Sequence, residues 1–203
     1  MIEIEEARQY YTDADAAHDF DHVLRVLALA ERIGQAEGAN MEIVRAAVLL
    51  HDVARAEEER TGICHAKRGA ERARQILAGH PADKVEAVAQ AIASHRFRDE
   101  VTPQTLEAKV LYDADKLDAI GAIGIARAYA LAGKRSQRLW ASLSAPVSGS
   151  ENPDQTPLHE FAFKLSRLKE ALFTTTARQI AEDRHQYMID FFARLEAEVH
   201  GKL

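Results

Sequence analysis

The chain has 203 residues, enough for one substantial core and too few for several domains. Hydrophobic residues at 47% exclude wholesale disorder, and a net charge of −6 from 26 basic and 32 acidic side chains argues against nucleic acid or an anionic membrane as the main partner. The one cysteine, Cys64, allows neither an intramolecular disulfide nor a thiolate-held metal. With an acidic opening and no apolar run near the ~20 residues of a membrane span, this points to a soluble cytoplasmic protein.

Apolar residues recur at intervals of three and four, as in Val23, Val26, Leu27, Ala30 and Ile33, and no sustained two-residue alternation marks a strand. The spacing predicts an all-α protein with helices near 2–16, 20–37, 41–54, 66–79, 82–95, 103–112, 114–132, 157–172 and 174–200. The five prolines fall at segment starts or within one polar stretch, and Gly38, Gly79 and Gly133 stand where helices would stop. The stretch 134–156, rich in Ser, Gly and Pro, separates a helical core over 1–133 from a two-helix extension over 157–203 that packs on it.

Nine histidines stand out, because neutral imidazole is the commonest metal ligand. His22, the pair His51 and Asp52, and Asp115 all lie within or at the end of predicted helices. A His-Asp dipeptide alone carries little, since a second occurs at His18 and Asp19. His51 and Asp52, however, close the apolar run AAVLL, where an unpaired polar group costs about 1 to 3 kcal/mol. Imidazoles and carboxylates together suit a divalent ion such as Mn, Fe, Co, Zn or Mg rather than a cysteine-rich structural zinc site. In DADKLD, Asp113, Asp115 and Asp118 are all within reach of a metal. Asp113 is expected to cap the helix beginning there, and Asp118, one turn beyond Asp115, to orient or deprotonate a water, with a capping role as its alternative. Arg55 follows Asp52 by three residues, so a continuing helix would bring its guanidinium beside the pair to bind phosphate.

The segments HDFDHVLRV, AAVLLHDVAR and LYDADKLDAIGAIGIARAY, with HEFAFKLSRLKEALFTTTARQIAEDRHQYM near the C-terminus, resemble the HD-domain superfamily of metal-dependent phosphohydrolases, whose signature is H…HD…D on an all-helical core. The likeness is greatest to small bacterial HD proteins of the nucleotide-pyrophosphohydrolase kind. It implies His22, His51, Asp52 and Asp115 as the metal ligands, holding one divalent ion: Mn²⁺ first, with Mg²⁺, Co²⁺, Fe²⁺, Ni²⁺ or Zn²⁺ as alternatives. It also extends the series to His65 and His95, assigned to the pocket wall or to phosphate contact, with a second metal as the alternative. Arg55 stands where nucleotidase-type members carry a carboxylate.

The expected function is hydrolysis of a phosphate ester or anhydride in a small phosphorylated metabolite, a nucleotide above all. The metal would acidify a water and neutralise phosphoryl charge. Asp118 and Lys116 are the catalytic candidates, and Arg55, His65, His95 and Lys116 the substrate-binding ones. Lys67, Arg68 and Arg25 are further cations nearby, and His18 is a candidate support for His22. A monomer and a homodimer are equally compatible with the sequence. The alternatives are a non-catalytic nucleotide- or metal-binding regulatory module and a purely structural helical protein.

Overall fold

A computed structural model describes residues 1–11, 20–96, 101–143 and 155–203. Ten α-helices, one 3₁₀ helix and no strand occur among them, so the all-α expectation holds. The α-helices are α1 (Ile4–Arg8), α2 (Phe20–Glu37), α3 (Met41–Leu50), α4 (Arg55–Thr61), α5 (His65–Ile76), α6 (Ala82–Ala93), α7 (Leu106–Leu117), α8 (Gly121–Lys134), α9 (Pro157–Phe163) and α10 (Thr175–Val199). The 3₁₀ helix spans Leu165–Ala171. The expected 2–16 helix ends at Arg8; its residues 12–16, His18, and residues 144–154 of the expected 134–156 loop lie outside the described residues.

The chain divides into two compact units, Met1–Asp115 with Phe173–Ala177, and Lys116–Leu172 with Arg178–Leu203. The sequence reading placed its boundary after residue 133 instead. In the first unit α3 is the central rod, packed against α1, α2, α5 and α6. Asn40 starts it by accepting the Glu42 N–H at 3.1 Å, and the apolar run Ala46, Ala47, Val48, Leu49 and Leu50 is buried on every side. The expected 41–54 helix stops at Leu50, because the His51 ring turns back onto the Val48 carbonyl at 2.7 Å and the backbone tightens to three-residue bonds at His51 and Val53. Arg72 of α5 donates to the Val53 carbonyl at 2.9 Å, holding the turn from outside. α5 crosses this turn at Gly69, where a Cβ would stand 3.1 Å from the His51 carbonyl oxygen and 3.3 Å from Ile92, so a larger residue would push the two helices apart.

Where a break was expected at Asp113, α7 runs unbroken to Leu117. Asp113 is fully buried and accepts from the Phe173 N–H at 2.9 Å, the Thr174 N–H at 2.7 Å and the Thr174 hydroxyl at 2.7 Å. Thr174 in turn accepts from the Ala177 N–H. Asp113 therefore organises the start of α10, a helix 60 residues away, and does not cap its own.

In the second unit the break falls at 118–120. It is set by Gly121, whose φ of +78° favours glycine, and by Gly124, where a Cβ would lie 2.3 Å from the Ala119 carbonyl oxygen. Arg184 donates to the Leu117 carbonyl at 2.5 Å, and Arg127 to the Asp118 carbonyl at 3.1 Å, so cations finish α7. The expected 157–172 helix divides at Lys164, whose φ of −131° leaves the helical range, into α9 and the 3₁₀ turn.

Candidate metal centre

Five short segments of the first unit carry polar side chains that meet in its interior. His22 sits in the first turn of α2, His51 and Asp52 in the turn after α3, His65 at the first position of α5, His95 just past α6, and Asp115 in α7. All but Asp115 are almost wholly buried.

His51 sets the pattern. A carbonyl can only accept, so its contact with Val48 places the proton on Nδ1 and leaves Nε2 as a bare lone pair. That Nε2 is buried and has no hydrogen-bond partner among the described residues. It stands 3.7 Å from Asp52 Oδ2, which is 3.9 Å from His22 Nε2, which is 3.4 Å from Asp115 Oδ1. Donors bound to one ion at about 2.1 Å stand roughly 3 to 4.2 Å apart, so His22, His51 and Asp52 have the spacing and the chemistry of a divalent metal site, with Asp115 beside His22. Burial pushes the His51 imidazole down to about 4, keeping it neutral and ready to ligate at neutral pH. Burial raises Asp52, but the imidazoles of His51, His95 and His65 outweigh that and hold its carboxyl well below the usual range.

The other oxygen of Asp52 faces a second group. Oδ1 lies 3.5 Å from His65 Nε2 and 3.7 Å from His95 Nε2, and the two Nε2 atoms are 3.2 Å apart. His95 also gives its Nδ1 proton backward, to the Ile92 carbonyl at 2.6 Å. His65 instead directs Nδ1 at Glu58 Oε2, 2.6 Å away, and burial brings its imidazole down to about 4. Asp52 is thus common to two groups of metal-ligand types, His22–His51–Asp52 and Asp52–His65–His95.

Arg55 reaches this centre by a route other than the one expected. α3 does not continue; Arg55 opens α4, and its guanidinium lies 3.2 Å from the His65 ring. Lys116 follows Asp115 on α7 and is half-buried. Asp118 is not one turn further along the same helix, because α7 has ended; its Oδ2 accepts from Arg127 at 2.9 Å. Arg68 is spent on surface pairs with Glu57 at 3.1 Å and Glu71 at 2.6 Å.

Three contributors escaped the sequence reading. Tyr11 donates its hydroxyl to the Leu49 carbonyl at 3.0 Å, and burial and the Asp52 charge raise its phenol well above its ordinary range. Glu58 binds His65 and lies 3.1 Å from Arg96, which directly follows His95. In the sequence Glu58 belongs to the run EEER, which reads as a solvated helix face, and only the start of a new helix at Arg55 turns it inward.

The HD domain family model matches residues 19–120. The Bacillus subtilis protein YpgQ is 34% identical over 194 residues, covering 94% of this chain and 88% of its own. Its crystal structure in complex with ADP superposes with a TM-score of 0.76 at 32% identity, over 97% of this chain and 98% of that one. A predicted HD superfamily hydrolase from an uncultured Thermotogales bacterium matches with a TM-score of 0.70 at 33% identity, over 96% and 90% of the two chains. An HD-superfamily hydrolase from Bacillus thuringiensis does so with 0.72 at 31%, over 97% and 93%.

Proposed function

The chain belongs to the HD domain family, and on that premise we propose that it is a metal-dependent phosphohydrolase acting on a small phosphorylated metabolite, a nucleotide first of all. The observation that carries the reading is the bare, buried His51 Nε2 facing Asp52, beside His22 and Asp115. These four residues would hold one divalent ion, with Mn²⁺ the first choice among the metals that such ligands accept. When bound, the ion supplies an acidified water at neutral pH and neutralises charge on the phosphoryl oxygens.

The chain's own residues do the rest. Val48 and Ile92 fix the tautomers of His51 and His95 through backbone carbonyls, so both rings present Nε2 inward with no side chain needed to hold Nδ1. Arg55 supplies charge for the phosphoryl oxygens at the His65 side, and Lys116 is assigned the same role by its place next to Asp115. Asp118 accepts from Arg127 just past the end of α7, and orienting or deprotonating a water is its proposed role. The ADP in the YpgQ crystal supports a nucleotide as the substrate.

A second reading, with two ions, is favoured by Asp52 Oδ1. It meets the Nε2 atoms of His65 and His95, and His95 has no proton left on that nitrogen for either neighbour. Metal stoichiometry by elemental analysis distinguishes one ion from two. The function itself is tested with a matrix of metals against nucleotides and simple phosphate esters, scored for both phosphate and pyrophosphate. Turnover that requires added metal is the expected result. A melting temperature that rises with nucleotide while nothing is released would establish a binding module instead.

A further inference from the structure

We propose that Glu58 is a positioning residue that gathers Arg55 and Arg96 into an anion-binding pair beside His65, and that Arg96 belongs to the substrate site. The inference rests on the phosphohydrolase reading for the identity of the anion, and on geometry for everything else.

Glu58 sits in the first turn of α4, a helix of seven residues between the His51–Asp52 turn and α5. Its two oxygens work in different directions. Oε2 meets His65 Nδ1 at 2.6 Å and lies 3.8 Å from Arg55 Nη1, while Oε1 meets Arg96 Nη1 at 3.1 Å. One carboxylate thus ties together three residues that come from α4, from the start of α5 and from the end of α6.

Glu58 lies between the two guanidiniums, whose like charges would drive them apart without it. Burial raises the Glu58 carboxyl, yet the hydrogen bond to His65 and the charges of Arg96 and Arg55 bring it below its ordinary value, so it is ionised at neutral pH. Both arginines retain solvent access, with side chains 34% and 29% exposed, whereas His65 is 3% exposed. An anion arriving from solvent therefore meets the guanidiniums first, one imidazole ring away from Asp52. A planar guanidinium is the side chain best shaped to take phosphoryl oxygens in pairs.

The same carboxylate gives His65 its orientation. A proton on Nδ1 shared with Glu58 leaves Nε2 to face Asp52 Oδ1 and His95, as a carboxylate behind a histidine does in many hydrolytic sites. Loss of Glu58 should then act twice, on anion affinity through the arginines and on turnover through the His65 ring.

The test uses the full-length, Mn²⁺-loaded protein with inorganic pyrophosphate as the probe, followed by calorimetric titration, and the nucleotide panel for turnover. Arg96→Gln should keep its metal content and lose about tenfold or more in pyrophosphate affinity, the scale of one charge-assisted contact. Glu58→Gln should lower kcat as well as weaken the probe, and Glu58→Asp, which restores the charge, should recover part of both. A merely structural carboxylate would lower the unfolding midpoint of Glu58→Gln without separating KM from kcat and without rescue by Asp. That pattern overturns the proposal, as does wild-type affinity for pyrophosphate in Arg96→Gln or a wild-type protein that fails to bind the probe. If the wild type binds pyrophosphate and the variants lose it while no nucleotide is hydrolysed, the phosphohydrolase reading falls and the anion site stands.

Discussion

Replacing Asp113 by alanine should be among the most destabilising single changes in the chain, although this residue only neighbours the metal centre. Its carboxylate is fully buried and accepts three hydrogen bonds of 2.7 to 2.9 Å from Phe173 and Thr174. Alanine leaves two backbone N–H groups and a hydroxyl without an acceptor, each costing about 1 to 3 kcal/mol when buried. Because Phe173 is only partly buried and its N–H can recruit water, the expected total is about 3 to 5 kcal/mol rather than the full sum. With a urea slope of about 2 kcal/mol/M, the unfolding midpoint falls by roughly 1.5 to 2.5 M. Asp115→Ala provides the contrast. It removes a partly exposed carboxylate at the centre, so it should lose bound metal while its metal-free midpoint stays close to that of the metal-free wild type. The two variants are compared by urea unfolding in chelator and by elemental analysis after metal loading. An Asp113→Ala midpoint within about 0.5 M of wild type, a loss of roughly 1 kcal/mol, would show that the 173–174 backbone finds other partners, and the account of α10 initiation would be wrong.

His51→Ala and Asp52→Ala should each abolish metal retention and turnover while keeping the helical circular-dichroism signal; a variant with wild-type metal content would remove that residue from the ligand set. Metal-free protein should lose stability on acidification between about pH 6.5 and 4. The unfolded chain protonates its histidines near 6.5 while burial holds His51 and His65 down to about 4, so protons favour unfolding across that window. Each histidine contributes up to about 3 kcal/mol, and urea midpoints that match at pH 7.5 and 5 in chelator would contradict this. Lys116→Met and Arg55→Gln should leave metal bound and lower kcat/KM on a triphosphate by about tenfold to a hundredfold; wild-type efficiency across a nucleotide panel would return both residues to ordinary helix-end charges. Gly69→Ala should shift the metal site through the His51 backbone and cost about 1 to 3 kcal/mol, checked by unfolding and by metal affinity together.

The helical class and most core helices were legible because apolar periodicity is a local signal that burial enforces, as along Val23, Val26, Ala30 and Ile33 of α2. His22, His51, Asp52 and Asp115 were legible as metal-ligand types within or at the end of predicted helices, the pair His51 and Asp52 closing an apolar run, whereas His65 and His95 came in only through the resemblance to the HD superfamily. Helix ends at the site were not. The stop after Leu50 depends on a side chain bonding its own helix, and the continuation through Asp113 depends on donors 60 residues away, neither of which has a pattern in the local sequence. Glu58 and Arg96 were missed for the same reason. Their charges look like solvated surface until α4 and the end of α6 bring them to one histidine.

The back-bonded rings of His51 and His95 carry a wider consequence. In both, the acceptor that dictates the tautomer is the carbonyl three residues earlier, on the helix that delivers the ring. No side-chain substitution can remove that acceptor; only a change in where the helix ends can. The direction of each lone pair is therefore an inherited property of backbone geometry, and a cysteine, glutamine or aspartate grafted at either position would receive the location without the aim. Converting this centre to another metal chemistry would call for moving helix ends, by insertions or deletions near 48–51 and 92–95, before changing ligands.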